Sequence, residues 1–379
     1  MSEKAYPCLR CKAPIPTSRL QCPHCHFELG SGESAEGWLG ETLNEMYEIQ
    51  EILGVGGMGM VFRANRLLFG VAQDEVALKL LFPRFLQDPL QRRLFEDEAT
   101  LLARLDHPNI VKVFDAGLEQ KLGVAFIAME LLEGETFKEL MRSEAPMQPE
   151  RLYPIFTQVC DGLAAAHQAG LIHRDLKPDN IFLSAEKMSH MVQILDFGIA
   201  ALQGHSAADE ENKLLGTLRY MAPEQCQGFP CTPMTDLYAI GIILYESLTR
   251  HRASGRTVDA VINDEIIPLN ERLPEEQRVS DELEALVMSL VDKDPKKRPQ
   301  SALELKVMLQ QISGGGGIDQ SLPKNASLLL ARSQIDDTQE LQRQQGTLKE
   351  ADHHQRRVIP LWLSFLLICL LGLLIGRWL

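Results

Sequence analysis

Glycines in one short block of the sequence have the spacing of loops that bind phosphate. The block runs from Gly54 to Val61 and fits the pattern G-x-G-x-x-G-x-V. Glycine allows the backbone to approach phosphate oxygens closely enough for its amides to bond them. The spacing also fits a dinucleotide-binding fold or a simple glycine-rich turn, but a dinucleotide site needs a helix directly after the glycines. Here the alternating residues 47–54 and the strand-like residues 60–64 predict strand, turn and strand. This order favours a hairpin that covers phosphates and argues against a dinucleotide-binding fold.

Charged residues follow in further blocks beside apolar segments. Val76–Lys79 is a short apolar strand that ends in lysine, and a buried ammonium group needs an anionic partner. A predicted helix over residues 92–105 supplies a candidate partner, Glu98. The remaining blocks are His107–Val111, Leu171–Asn180, Ile194–Gly198 and Gly216–Glu224.

Together these blocks resemble the signature motifs of the eukaryotic-type (Hanks-type) serine/threonine protein kinases of bacteria. Every block occurs in the family's order within residues 47–312, and this joint pattern is far more specific than any single motif. The resemblance implies an α+β, bilobal protein-kinase fold, with a mostly antiparallel β N-lobe that has one major helix, and a helical C-lobe. The activity it implies is transfer of the γ-phosphate of ATP to serine or threonine hydroxyls of proteins.

The resemblance also implies which residues bind ATP. The three glycines of the first block would cover its phosphates, and Lys79 would bridge the α- and β-phosphates. Glu98 would hold Lys79 in an ion pair, because residues 95–99 fit the family pattern F-x-x-E-A. Met129 would be the gatekeeper and residues 130–132 the hinge facing adenine. The full set implied for the nucleotide is Gly54, Val55, Gly56, Gly57, Met58, Gly59, Val61, Ala77, Lys79, Met129, Glu130 and Leu132.

The catalytic residues are implied in the same way. Asp175 would take or orient the proton of the substrate hydroxyl, and Lys177 would stabilise the γ-phosphate. Asn180 and Asp196 would hold two Mg²⁺ ions. Phosphoryl transfer needs mainly positioning and charge neutralisation, which such a set supplies. The lysine two residues after Asp175 favours serine and threonine over tyrosine as acceptors.

Other motif positions would support this site by resemblance. Thr217 would contact Asp175 and help to select hydroxyl substrates. Glu224 would pair with Arg298, and Asp236 would tie the backbone of the catalytic loop to a core helix.

The segment between Asp196 and Glu224 has an unusual composition. In the family, the arginine equivalent to Arg174 commonly binds a phosphate on this segment. Ser206 is the only hydroxyl before Thr217, and residues 209–211 are all acidic. These acids either partly replace a phosphate opposite Arg174 or form a solvated loop tip.

Residues 1–29 predict a separate zinc-ribbon module. Two C-x-x-C pairs, Cys8 with Cys11 and Cys22 with Cys25, supply four thiolates for a tetrahedral structural Zn²⁺ site. Redox or thiol sensing is the alternative. So short a module would depend on the metal for its folding energy. Residues 30–46 are interpreted as an acidic linker.

The C-terminal part of the sequence predicts a membrane anchor. Residues 358–376 contain no charged side chain, and such a helix would span roughly 28 Å, close to a bilayer core. Arginines 356 and 357 precede the run and only Arg377 follows it, which places the kinase domain in the cytoplasm. A single pass through the cell (inner) membrane is therefore expected. No apolar signal peptide opens the sequence, so the bulk of the chain is expected in the reducing cytosol. Residues 313–357 would be a flexible tether that reaches membrane-near substrates, or a second copy in a homodimer.

Composition limits the remaining classes of function. The 379 residues include 52 Asp+Glu against 38 Lys+Arg, a net charge of −14, and no basic patch, so no nucleic-acid partner is expected. The alternative to an active kinase is a membrane-anchored scaffold or pseudokinase that recruits partners through the zinc ribbon. Pseudokinases usually lack the strand lysine, the catalytic aspartate or the metal aspartate. Lys79, Asp175, Asn180 and Asp196 are all present, which favours the enzyme.

Overall fold

The structure is a computed structural model that describes residues 5–7, 14–16, 36–55, 59–82, 89–119, 124–184, 191–197 and 218–314. All of them belong to one structural unit, Met1–Gly316. The second unit, Gly317–Leu379, lies outside the described residues. Strands β1 (Ala5–Pro7) and β2 (Pro14–Pro16) form a two-stranded antiparallel sheet.

The N-lobe is built on one antiparallel sheet of six strands, in the order β3-β4-β5-β6-β8-β7. Residues that alternate in polarity form its first long strands, since a strand with one buried face has a period of two. Strands β4 and β5 pair on either side of the glycine block, so the two predicted strands are confirmed, and the predicted turn at residues 56–58 lies outside the described residues. The strands are β3 (Thr42–Leu43), β4 (Tyr47–Val55), β5 (Gly59–Leu68), β6 (Val71–Leu81), β7 (Val113–Glu119) and β8 (Val124–Glu130).

Residues 36–46 belong to this lobe, so the linker predicted for residues 30–46 is wrong over that range. Trp38 is only 1% exposed and packs with Leu43 and Tyr47 in the core on one face of the sheet. The Gly40 amide donates to the Ile49 carbonyl at 2.8 Å, which fixes the segment to β4. The acidic composition of the segment suggested a linker. The prediction gave no weight to Trp38 and Leu43, whose burial holds the segment in place.

One long helix completes the N-lobe. Helix α1 (Pro89–Arg104) packs against β7 and buries Phe95 and Leu102. It confirms the helix predicted around Glu98 and begins three residues earlier. Its buried residues lie seven apart, one face of a helix, so Glu98, three residues after Phe95, lies nearly one turn further along on the same side.

The C-lobe is helical, as predicted. Its centre is α5, almost every residue of which is buried, as expected for a helix that is apolar all round. Gly241 permits this packing, since a Cβ there would lie 2.6 Å from the Cβ of Leu290. The helices are α2 (Phe137–Glu144), α3 (Pro149–Gln168), α4 (Pro223–Cys226), α5 (Pro233–Thr249), α6 (Val258–Asn263), α7 (Leu269–Arg272), α8 (Asp281–Leu290) and α9 (Ala302–Ser313).

A small sheet carries the catalytic segment between the lobes. Strands β9 (Gly134–Thr136), β10 (Ile181–Ser184) and β11 (Met191–Ile194) pair in the order β11-β10-β9. The catalytic loop, residues 171–180, leads into β10, and residues 195–197 follow β11. Because β10 and β11 are antiparallel neighbours, Ile181 lies opposite Ile194 and the two loops meet at one end of the sheet.

Several predictions fall on residues that the structure does not describe. They concern the four cysteines predicted to bind zinc, the predicted tether, the membrane helix predicted over residues 358–376, Thr217 and the acidic residues 209–211. Within the described ranges, no helix is both long and apolar enough to span a bilayer, and no group of three or more His, Cys, Asp or Glu residues is arranged to bind a metal.

Candidate active site

The glycine hairpin shows why one of its glycines is required by packing. Gly59 begins β5, and a Cβ there would lie 2.0 Å from the carbonyl oxygen of Leu80 on β6. A Cβ on Gly54 would meet nothing within 4 Å. Val55 and Val61 flank the turn, and Gly56, Gly57 and Met58 lie outside the described residues. Gly59 is thus required by the close approach of β5 and β6, whereas Gly54 has open space beside it.

Strand β6 places Lys79 at the interface of the two lobes. The lysine is 7% exposed, and its Nζ lies 2.8 Å from Oδ1 of Asp196. Burial alone would raise the pKa of Asp196, but Lys79, His173 and Lys177 favour the carboxylate and the net pKa is lowered. Lys79 and Asp196 form an ion pair in which each side chain compensates the charge of the other.

Glu98 does not contact Lys79, so the predicted ion pair is wrong in this structure. Its Oε1 accepts from Arg174 Nη1 at 2.6 Å, and its Oε2 has no hydrogen-bond partner in the described part of the chain. Burial raises the pKa of Glu98, and Arg174 opposes that rise only in part. Glu98 and Asp196 are two carboxylates that face two cations, Lys79 and Arg174, and either way of pairing them neutralises all four charges. Motif spacing cannot choose between two such pairings, because the choice depends on distance.

The catalytic loop holds Asp175, Lys177 and Asn180 together. Lys177 Nζ lies 2.5 Å from Oδ2 of Asp175, and Asn180 Nδ2 donates to the backbone carbonyl of Asp175 at 2.8 Å. Arg174, just before Asp175, has φ +65°, which is uncommon for arginine. Such strained backbone persists only where surrounding contacts determine it, and it concentrates at functional sites.

Those determining contacts come from Asp236 on α5. Its carboxylate accepts the backbone N–H groups of His173 and Arg174, both at 2.9 Å, and contacts His167 Nε2 at 2.7 Å. Burial would raise the pKa of Asp236, but these partners lower it. The predicted tie between the catalytic loop and a core helix is confirmed. The sequence analysis missed His167, because a histidine six residues before His173 belongs to no motif.

The two predicted Mg²⁺ ligands lie on adjoining chain segments. The Leu195 N–H donates to the Asn180 carbonyl at 2.9 Å. Asp196 follows Leu195 in the chain, so this backbone hydrogen bond brings the segment that carries Asp196 next to Asn180. Asn180 uses its amide N–H toward Asp175, which leaves its side-chain oxygen to accept or coordinate. A carboxylate and an amide oxygen are the hard ligands that suit Mg²⁺.

The predicted adenine side is the end of β8. Ala77 on β6 lies opposite Met129, and both are buried. The Glu130 N–H donates to the Lys112 carbonyl at 2.9 Å, and Leu132 lies just beyond the strand. The structure therefore brings Ala77 and Met129 together beside Lys79.

A further ion pair fixes the start of α4. Arg298 donates to Glu224 through both terminal nitrogens, at 2.7 and 2.8 Å, and Thr235 donates to the same carboxylate at 3.0 Å. Burial would raise the pKa of Glu224, but these donors lower it. The predicted Glu224–Arg298 pair is confirmed. Gln225, which the sequence did not single out, donates to the Arg174 carbonyl at 2.8 Å and links this corner to the catalytic loop.

This fold and this arrangement of residues define a bilobal protein kinase domain. The family model for the protein kinase domain matches residues 47–309. The serine/threonine-protein kinase pkn3 of Myxococcus xanthus is 34% identical over 307 residues, which cover 78% of this chain and 55% of that protein. PknB of Mycobacterium tuberculosis is 35% identical, over 72% of this chain and 44% of that protein.

A solved structure agrees with these relatives. The kinase domain of PknI from Mycobacterium tuberculosis has a TM-score of 0.58 and 26% identity, and the match covers 72% of this chain and 98% of that domain. The chain therefore belongs to the protein kinase family, and its kinase domain is of the bacterial serine/threonine type. It spans about half the length of the curated relatives it matches.

Proposed function

We propose that the protein is an active serine/threonine protein kinase that uses ATP and Mg²⁺. The observation that carries the proposal is the linked catalytic loop, in which Asp175, Lys177 and Asn180 are bonded to one another and anchored to Asp236. The relatives pkn3 and PknB are both named as serine/threonine kinases, which supports the same acceptors here. A pseudokinase scaffold would not need this set intact.

In the proposed reaction, the substrate hydroxyl oxygen forms a bond to the γ-phosphorus of ATP. The bond from that phosphorus to the β–γ bridging oxygen breaks, and ADP leaves. Asp175 accepts or orients the hydroxyl proton, and Lys177, 2.5 Å from its carboxylate, supplies positive charge for the transferring phosphoryl group. Lys79 is the cation for the remaining phosphates. Asn180 and Asp196 would hold Mg²⁺, which when bound neutralises phosphate charge.

The test is phosphate transfer by the purified full chain with labelled ATP and Mg²⁺. We expect label on serine or threonine, and a loss of at least about 10³-fold in Asp175→Asn, since that variant lacks the base and its charge. Asp179→Asn is the matched control. It lies four residues away in the same loop, its carboxylate pairs with Lys138, and it should retain activity.

Mass spectrometry of the labelled protein would also examine Ser206 and Thr217. Equal labelling by the wild type and Asp175→Asn would refute the proposed role of Asp175. Absence of transfer by the wild type to itself and to a generic protein substrate, with ATP binding retained, would favour the scaffold.

We further propose that Cys8, Cys11, Cys22 and Cys25 bind one structural Zn²⁺. The support is their C-x-x-C spacing alone. Metal analysis of the purified protein should give one zinc per chain. Zinc should be lost in the double variant Cys8→Ser with Cys22→Ser and retained in Cys231→Ser, which alters a partly buried cysteine of the C-lobe.

A membrane anchor is proposed for residues 358–376, with the kinase domain on the cytoplasmic side. The support is the uncharged apolar run and the arginines before it. The full chain should stay in the membrane fraction after alkaline extraction. Two arginines in the middle of the run, Leu367→Arg with Leu371→Arg, should release it, because each costs about 2.5–3.5 kcal/mol at the centre of a spanning helix. Concentration-dependent autophosphorylation would support transfer between two copies.

A further inference from the structure

Two arginines, Arg219 and Arg252, lie beside one buried carboxylate near the catalytic loop, and a third, Arg256, lies near Arg252. Arg219 lies in the turn Leu218–Tyr220, and its Nε donates to Oε1 of Glu246 on α5 at 2.6 Å. Arg252 and Arg256 follow the end of α5. We call Arg219, Arg252 and Arg256 the arginine cluster. Arg219 lies within the motif block Gly216–Glu224, but the sequence assigned no role to any of these three arginines.

The cluster lies close to the catalytic base. Tyr220, next to Arg219, lines the same small cavity as Arg174 and Asp175. The ring of Tyr220 also packs against the Arg219 guanidinium, 5.6 Å from its centroid. A polypeptide whose hydroxyl reaches Asp175 would therefore pass the cluster within a few residues of its acceptor.

Positive charge in the cluster exceeds the negative charge that faces it. Burial and the neighbouring Arg219 lower the pKa of Arg252, and Arg256 lowers it further. Glu246 opposes this shift and raises the pKa of Arg252. The Asp264 carboxylate also lies close to this segment, 3.3 Å from where a Cβ on Gly255 would be. Three guanidinium groups therefore outnumber the two carboxylates near them by one positive charge.

The carboxylate lies behind the arginines. Glu246 is 2% exposed, whereas the Arg219 side chain is 35% exposed. Oε2 of Glu246 has no hydrogen-bond partner among the described residues, but its burial keeps a substrate cation from reaching it. A substrate therefore meets guanidinium groups at this point.

One donor of the cluster lacks a partner. Nε of Arg252 is buried and makes no hydrogen bond within the described ranges. A buried N–H group without an acceptor costs free energy, so such groups are rare in native proteins. The buried Nε itself is out of a substrate's reach, but an oxygen anion that contacts the partly exposed residues Arg219 and Arg252 would neutralise the excess positive charge. Arginine forks match carboxylate and phosphate oxygens in this way.

We propose that the arginine cluster binds an anionic side chain of the protein substrate, a carboxylate or a phosphate, and so selects acceptor sites that have an acidic neighbour. This inference rests on the proposed kinase function, because it treats Asp175 as the point that the acceptor must reach. The residues that determine this selectivity are Arg219 and Arg252, with Arg256 at the rim.

The test compares peptides that share one acceptor serine. A glutamate, phosphoserine, glutamine or lysine is placed in turn at each position on either side of the serine, and kcat/KM is measured with the full chain. We expect about a tenfold preference for glutamate over glutamine at one position, the size of a charge-assisted hydrogen bond. A larger gain with phosphoserine would identify phosphate as the natural ligand.

Variants locate the preference. Arg252→Gln should reduce the glutamate-to-glutamine ratio to near one, mainly through a lower kcat/KM for the glutamate peptide. Arg256→Gln should reduce the ratio less, and because its side chain is exposed it should fold normally if Arg252→Gln does not. Arg278→Gln, another exposed arginine of the C-lobe, is the control. A ratio near one in the wild type, a preference for lysine, or a ratio that none of these variants changes would overturn the proposal.

A binding measurement separates this inference from the kinase function itself. Peptides in which alanine replaces the acceptor serine are titrated into the same proteins, and fluorescence anisotropy reports their affinity. Tighter binding of the glutamate peptide that depends on Arg252, without phosphate transfer, would refute the kinase function and support the anion site. Transfer to all peptides at equal rates would support the kinase function and refute the anion site.

Discussion

The buried carboxylates of the C-lobe and the buried carboxylate of helix α1 are held in different ways. Glu224 and Asp236 each accept at least three hydrogen bonds, and their pKa values are lowered despite burial. Glu98 accepts one hydrogen bond through one oxygen, and burial raises its pKa. Fully paired buried charges fix a structure, whereas a half-paired charge can change partner at little cost.

The difference follows from where each carboxylate is attached. Glu224 and Asp236 lie at the starts of α4 and α5, and their partners belong to the same packed C-lobe. Glu98 lies on an N-lobe helix and reaches across to Arg174 in the C-lobe. Lys79 likewise reaches from the N-lobe to Asp196. The C-lobe thus provides a fixed frame, and the pairs between the lobes are the ones that can exchange.

Removal of Arg298 should break the fixed frame and have the largest effect. Arg298→Met leaves Glu224 buried without its cation, which should cost about 3–5 kcal/mol of unfolding free energy. Urea denaturation monitored by fluorescence measures the loss. Arg278→Met is the exposed control and should change stability by less than about 0.5 kcal/mol. The double variant Glu224→Leu with Arg298→Met should regain much of the loss. A single-variant loss of under about 1 kcal/mol would contradict this account of the pair.

Asp236→Asn should have the second-largest effect, because it removes the charge that organises the catalytic loop. An amide has one oxygen in place of two, so at least one of the backbone N–H groups of His173 and Arg174 loses its acceptor. The expected cost is about 1–3 kcal/mol. The kinase rate should fall with little change in the affinity for ATP, which equilibrium binding would measure. Asp161→Asn, which alters a partly exposed pair with Lys306, is the control and should preserve the rate.

The pH dependence of stability should distinguish Glu98 from Glu224 by its sign. A carboxyl with a lowered pKa stabilises the fold above its unfolded value, and the effect is lost as pH falls through the folded pKa. A carboxyl with a raised pKa does the reverse, so ionised Glu98 reduces stability as pH rises above 4.5, its ordinary value. Between pH 4 and pH 7, Glu98→Gln should therefore gain in stability relative to wild type, by up to about 1 kcal/mol.

Over the same interval Glu224→Gln should lose stability relative to wild type. Urea midpoints at several pH values give both slopes. Glu96→Gln, an exposed neighbour on the same helix, is the control variant. If the stability of the Glu98 and Glu224 variants relative to wild type changed with pH in the same direction, the distinction between helix α1 and the C-lobe would be refuted.

An exposed ion pair gives the smallest expected effect. Arg151 and Glu144 lie 3.3 Å apart with side chains 36% and 43% exposed. Arg151→Gln should change the unfolding free energy by less than about 0.5 kcal/mol, because water screens such pairs. If Arg151→Gln lost as much unfolding free energy as Arg298→Met, burial would not explain why the two ion pairs differ.

Much of the fold could be predicted because its elements have local signals. The glycine hairpin, helix α1 and the helical C-lobe follow from spacing, from apolar periodicity and from the resemblance to protein kinases. Residues 36–46 could not be predicted in this way. Their place in the sheet depends on the burial of Trp38 against residues that follow it in the chain, and composition alone pointed to a linker.

The sequence by itself determined which chemical groups the active site contains, and the tertiary structure decided which of them are paired. Lys79, Asp175, Asn180 and Asp196 were recognisable because each lies in a short motif whose members are adjacent in the chain. The pairs Lys79–Asp196, Glu98–Arg174 and Arg219–Glu246 join residues 117, 76 and 27 positions apart. Several opposite charges are available to each of these groups, and Coulomb energy depends on distance and burial, which only the folded chain defines.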